Sequence, residues 1–317
     1  RLSCELFGPL SESLVGSPML AVRLPAVACH AALLAGWYVL AHATLRSHRA
    51  ALATVALTLT LPAVTAGAVL MTIDPPFLAC WCWALVGVWR GLSMPVRSEE
   101  SGVRSEEGGS PPDSSLLTPR SSLRLGWWLL AAVCSALGVL AKYPMVLLPC
   151  AVFGYLLFNR RAELRRPGFW VFALGSAVGL VPVFAWNAAN GWVTFKHVGT
   201  QAAGAGGSGV RWLGPLAFAA GQAGFLIGVW FVVWALAAWR YRRSADPAVG
   251  FLWWTSVSVW AVFAVASFKA GGQVNWPAAA YVGGFVLCVA WVREGLNGRH
   301  HRPVSRLVSA GIAVGLA

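Results

Sequence analysis

Charge is what this sequence lacks. Of its 317 residues, 11% are charged and 58% are hydrophobic, whereas a soluble domain carries roughly 25% charged residues. Acidic residues are scarcest: 11 Asp and Glu stand against 24 Lys and Arg, giving a formal charge of +13. Also missing are any phosphate-binding glycine loop and any dinucleotide fingerprint. The seven cysteines show neither zinc nor thioredoxin spacing, Cys80-Trp81-Cys82 included. They read as small buried hydrophobes inside apolar runs.

What is present in quantity is apolar sequence, with a mean hydropathy of +0.66. Runs at 23–43, 50–71, 76–92, 126–141, 144–158, 168–186, 214–239, 250–268 and 276–292 predict about nine complete membrane helices. A tenth, starting at Leu307, is cut short by the end of the chain. Pro62 is expected to break or kink the second run. The 18 tryptophans suit the two membrane–water interfaces. The fold class expected is therefore all-α, a polytopic integral membrane protein forming one membrane domain over 1–317. The chain opens at Arg1 without methionine and closes inside an apolar run, so both ends read as cut.

The basic residues orient that bundle. Strict alternation of the spans puts all Lys and Arg on one side except Arg1, Arg23, Lys142, Lys196, Arg211 and Lys269. The positive-inside rule makes the crowded side cytoplasmic, so the basic excess is explained by topology rather than by nucleic acid. A cytoplasmic insertion, 95–125, contains the near-repeat Val96-Arg97-Ser98-Glu99-Glu100 and Val103-Arg104-Ser105-Glu106-Glu107 and is otherwise rich in Ser, Pro and Gly. Its composition is that of a disordered loop.

Polar side chains gather on the other, outer side. Asp74 is the only acidic residue between Glu12 and Glu99, placed where an apolar run breaks at Asp74-Pro75-Pro76. A carboxylate at the mouth of a span is expensive and is a functional candidate by default. On the same side lie Lys142 and Tyr143, an outer loop over 187–213 with Asn187, Trp192, Lys196, His197, Gln201 and Arg211, and then Lys269 and Asn275. Lys and Arg neutralise phosphate, aromatic rings line a sugar or lipid groove, and a carboxylate accepts a proton or holds a divalent cation. The set suits an anionic, partly lipidic substrate. Each member also has a plainer reading: Asp74 as a helix cap, Lys142 as a snorkelling anchor, the tryptophans as belt residues, His197 as structural, and Lys196 and Arg211 as headgroup contacts.

At these residues the sequence resembles the bacterial polytopic glycosyltransferases of the dolichyl-phosphate-mannose–protein mannosyltransferase type (glycosyltransferase family 39-like), related to the aminoarabinose transferases and sharing the GT-C fold. The resemblance rests on Val22-Arg23-Leu24-Pro25, Leu70-Met71-Thr72-Ile73-Asp74-Pro75-Pro76, Gly138 through Lys142-Tyr143, Val181-Pro182 through Trp186-Asn187, Gly191-Trp192, and Val274-Asn275-Trp276-Pro277. It implies transfer of a sugar from a polyprenyl phosphate to an acceptor hydroxyl on a glycan, lipid or protein, outside the bacterial cytoplasmic membrane. Asp74 then corresponds to a family aspartate with a catalytic role, and Lys142 and Tyr143 to a Lys-Tyr pair near the lipid phosphate. The resemblance also implies a first helix and a first outer loop bearing a principal carboxylate, both of which this chain is expected to lack. A divalent metal is possible at the site, and nucleic acid is not an expected partner. Two further readings stay open: a transporter or flippase of lipid-linked sugars, and an inactive subunit that binds polyprenyl phosphate.

Overall fold

A computed structural model describes residues 18–70, 72–94, 119–203, 209–271, 273–298 and 301–316. Most of the 95–125 insertion lies outside them, as does Cys4. Among the described residues the fold is helical throughout, without strands.

The first half is built on four long elements. Helix α1 (Pro18–Leu45) lies against α4 (Asp74–Ser93), which packs on α5 (Pro119–Ala141), which in turn packs on α7 (Pro167–Val178). Small residues let these backbones approach, as helix association in lipid requires. A Cβ on Gly87 of α4 would come within 2.7 Å of the Trp127 carbonyl on α5. Gly175 meets Ala132 in the same way, and Gly179 meets Ala136, so two small residues four apart face two others. The expected span 50–71 is broken as Pro62 predicts, into α2 (His48–Leu59) and α3 (Pro62–Gly67). After a 3-10 turn at Tyr143–Val146 comes α6 (Leu147–Asn159), and α8 (Leu180–Ala189) continues the line of α7. Helix α9 (Val193–Ala203) occupies part of the expected outer loop 187–213.

The second half differs from expectation at 214–239. One span was expected there, but α10 (Gly214–Phe225) and α11 (Val229–Tyr241) are bent by 118°. The cause is local: Ile227 and Gly228 both take positive φ, 58° and 67°, a region that glycine enters freely and a β-branched residue rarely. Beyond it, α12 (Pro247–Trp253), a π turn at Trp254–Ser258 and α13 (Val259–Ala266) form one span. A 3-10 turn at Trp276–Ala279 leads into α14 (Ala280–Leu296), the most buried span in the fold. Helix α15 (His301–Leu316) packs on α11 and α14.

Among the described residues, five helices are long and apolar enough to cross a bilayer, six if the bent pair is one span. That is fewer than the nine runs in the sequence. The second run is broken at Pro62, Tyr143–Asn159 is short, and α4 opens on a charged, proline-rich turn.

The tryptophans also depart from a simple belt. Trp37, Trp81, Trp128 and Trp230 are fully buried. Trp37 donates its indole N–H to the Val282 carbonyl (3.0 Å) and Trp230 to the Thr60 hydroxyl (3.1 Å), which is how a buried indole avoids an orphaned donor. The described cysteines are all free; Cys82 and Cys288 are buried as expected, but Cys150 is exposed.

Candidate functional site

Three of the candidate residues meet at one point. Asp74 opens α4, Lys142 follows the last residue of α5, and Asn275 precedes the turn that leads into α14. Lys142 Nζ lies 2.7 Å from Asp74 Oδ1, and Asn275 Nδ2 donates to Asp74 Oδ2 at 2.9 Å. The lysine also sits over the face of buried Phe77, 5.7 Å from the ring centroid. Its side chain is 9% exposed and that of Asp74 25%, so the carboxylate is the more open of the two.

Proline arranges this meeting. Asp74 precedes Pro75, Lys142 precedes Tyr143-Pro144, and Asn275 precedes Trp276-Pro277; each proline stands in the first turn of the helix it opens. Proline is tolerated there because the first N–H groups need no partner. The plainer reading of Asp74 as a cap does not hold. The Asp74 carboxylate accepts no N–H of α4, whose first N–H is taken by the Thr72 hydroxyl (3.4 Å), and reaches to the two neighbours instead. Three helix starts therefore converge on one carboxylate, and each contributes a partial positive charge.

Asn275 is held from behind by residues that periodicity alone did not single out. Gln222, fully buried on α10, donates to the Val274 carbonyl (2.9 Å) and accepts from Tyr281 Oη (2.8 Å). Trp260 in turn donates to Tyr281 Oη at 3.1 Å. A glutamine in an apolar run is the signal that marks this brace: a buried amide must find partners.

The remaining candidates fall into two groups. Tyr143, next to Lys142, stacks on Phe195 of α9 (6.5 Å, 22°), and Phe195 contacts Phe184 and Trp192. Trp192 has φ of 60° and forms, with Gly191 at 66°, the turn into α9. Lys196 and His197 are exposed on that helix; Gln201 lies further along it, with its side chain outside those described. Arg211 anchors the start of α10 through its backbone N–H on the Phe268 carbonyl (2.7 Å), and its guanidinium lies against Gly271. Lys269 is exposed nearby.

One expectation is corrected. Asn187, a substrate-binding candidate, is 1% exposed. Its amide donates to the Val183 carbonyl (2.9 Å) and accepts from the Thr194 N–H (3.1 Å), so both ends serve the turn between α8 and α9. As for a metal, Asp74 is the only carboxylate at the cluster among the described residues. Among the described residues no three His, Cys, Asp or Glu side chains are grouped to hold one.

Comparison with known proteins bears on the chain and its fold. The sequence pattern of the family described as dolichyl-phosphate-mannose-protein mannosyltransferase matches residues 5–95 and 116–186, just over half of the chain. Among solved structures, the crystal structure of ArnT from Cupriavidus metallidurans bound to undecaprenyl phosphate aligns over 98% of this chain and 58% of its own, with a TM-score of 0.60 and 16% identity. At that identity the likeness is one of fold, and the chain spans somewhat over half the length of that protein. No curated protein matches it.

Proposed function

The chain belongs to the dolichyl-phosphate-mannose-protein mannosyltransferase family, and from that membership we propose that it is a membrane glycosyltransferase moving a sugar from a polyprenyl-phosphate donor to an acceptor hydroxyl. The observation that carries this reading is the Asp74–Lys142–Asn275 cluster, where one lysine and three helix starts face a single, partly open carboxylate. Lys142 supplies the positive charge that offsets the negative charge growing on the departing lipid phosphate, the kind of preorganised electrostatic help that dominates many transfer reactions. The helix starts add to it.

Asp74 has a different task. With Oδ1 on Lys142 and Oδ2 on Asn275, it fixes the lysine, and each oxygen keeps lone pairs that orient an acceptor hydroxyl. Tyr143 and the rings beyond it border the approach. Lys196, Arg211 and Lys269 lie further out and serve the anionic substrate's approach rather than the reaction. The active face is extracytoplasmic on this reading. Asp74 and Arg90 sit at opposite ends of α4, about 24 Å apart by helical rise, and Arg90 belongs to the crowded basic side. In a bacterial cell that membrane is the cytoplasmic one.

The test uses undecaprenyl phosphate as probe, bound to the whole protein in nanodiscs and counted by native mass spectrometry. Wild type is expected to retain the lipid and Lys142→Met to bind it at least tenfold more weakly. Equal binding by the two would remove Lys142, and with it the cluster, from the donor site.

A further inference from the structure

Beyond its first turn, where exposed Val193 lies on the polar side, helix α9 has two exposed faces of opposite character. Every residue from Phe195 to Thr200 is exposed. At 100° per residue, Phe195 (42% exposed) and Val198 (41%) share one side, and Lys196, His197 and Thr200 share the other. Within the chain α9 rests on α8 and, through Phe195, on the exposed rings of Phe184, Trp192 and Tyr143. An apolar side left open on a soluble protein would need a protein partner, but here its location supplies the occupant.

The span Pro167–Ala189 ends three residues before α9 begins. Three residues reach about 10 Å at full extension, and Gly191 and Trp192, both at positive φ, fold the chain back at once. Helix α9 is thus confined to the depth where a span leaves the bilayer. Charge agrees with that position: no acidic residue occurs between Glu163 and Asp246, and Lys196 and Arg211 are exposed in this interval. A short amphipathic helix with aromatic and aliphatic residues on one side and lysine on the other lies in the interface, its apolar side roughly 5–10 Å into the headgroup–acyl boundary.

We infer that Val193–Ala203 is a membrane-surface helix, with Phe195 and Val198 in the acyl boundary and Lys196 and Thr200 toward anionic headgroups. The lipid surface then fixes Phe195 and, through it, Tyr143 beside Lys142. The occupant is bilayer lipid, and the inference stands apart from the proposed reaction because its test needs no turnover.

Single nitroxide labels at positions 195, 196, 198 and 200, on a cysteine-free background reconstituted in nanodiscs of equal parts phosphatidylcholine and phosphatidylglycerol, report collision with oxygen and with a water-soluble nickel chelate. The oxygen-to-nickel ratio at 195 and 198 is expected to exceed that at 196 and 200 several-fold. Four equally nickel-accessible sites would mean a helix standing in water; four sites shielded from both reagents would mean a protein partner or a second copy. Either overturns the inference. Hydrogen exchange on the unlabelled protein gives an independent reading. Amides of α9 are expected to exchange more slowly in the anionic discs than in pure phosphatidylcholine, with Lys196→Gln abolishing the difference. Identical exchange in the two lipids for the unsubstituted protein would refute the anionic preference.

Discussion

Helix α4 carries a charged cluster at each end, and the two are sheltered to much the same degree. At its C-terminal end Glu163 and Arg124 have side chains 13% and 15% exposed; at its N-terminal end Asp74 and Lys142 are at 25% and 9%. Burial does not tell them apart, but the use of the backbone does. At the C-terminal end Arg124 Nε donates to the Gly91 carbonyl (2.8 Å) and Arg160 to the Leu92 carbonyl (3.1 Å), closing carbonyls that the helix leaves without partners. Glu163 then holds Arg124 and Arg166 in place. Each of these groups serves to finish a helix. At the N-terminal end the carboxylate ignores its own helix and joins two others. Charges that close a helix end are structural; charges that face each other across three helix starts, with lone pairs to spare, are available for chemistry.

The sharpest way to break that distinction is to remove one partner at each end. Lys142→Met is expected to lower sugar transfer at saturating donor by roughly a hundredfold or more, the scale for losing a preorganised electrostatic contact, as read by release of polyprenyl phosphate. Disrupting the half-buried pair also costs stability, about 1–3 kcal/mol, between the values for exposed and buried pairs. Glu163→Gln is expected to cost a similar 1–3 kcal/mol in thermal unfolding, because it weakens the hold on Arg124, while leaving transfer per folded molecule unchanged. Equal activity losses in the two variants would erase the difference between the ends.

Much of this arrangement was legible in the sequence, because its cause is local. Asp74-Pro75, Lys142-Tyr143-Pro144 and Asn275-Trp276-Pro277 announce helix starts, and alternation of spans puts all three at one end of the bundle. The break at Pro62 was readable for the same reason. What escaped depends on partners far away in the chain. The 118° bend after Phe225 follows from two positive φ angles, one at an isoleucine whose type gives no warning. Asn187 looks like a binding residue until Thr194 and Val183 take up its amide. Gln222 becomes visible as a brace only when Val274, 52 residues on, is seen to accept from it. Trp37 follows the same logic: a ring suited to the interface is equally suited to the core when a carbonyl 245 residues away, that of Val282, accepts its N–H.

Smaller effects refine the comparison. Asn275→Ala removes one donor from Asp74 but leaves the ion pair, so the carboxylate loses orientation rather than its charge partner. A hydrogen bond to a charged group at such a part-exposed site is worth roughly 1.5 kcal/mol, the low end for charged partners, which converts to about a twelvefold loss of transfer, seen more in KM for the acceptor than in donor binding. Gln222→Leu acts one step further back, by removing the donor to the Val274 carbonyl, and is expected to give a weaker version of the same split.

The smallest expected effect belongs to the other end of α4. Arg160→Ala removes the donor from the Leu92 carbonyl but leaves Arg124 on Gly91, so one carbonyl of the last turn is surrendered to water while the helix stays closed. Loss of a cation at a helix C-terminus costs about 0.3–1 kcal/mol, a shift detectable in thermal unfolding and screened by salt. Transfer per folded molecule should not change. If it fell with Arg160→Ala as it does with Asn275→Ala, the two ends of α4 would be coupled along the helix, and the division into a closing end and a reacting end would have to be abandoned.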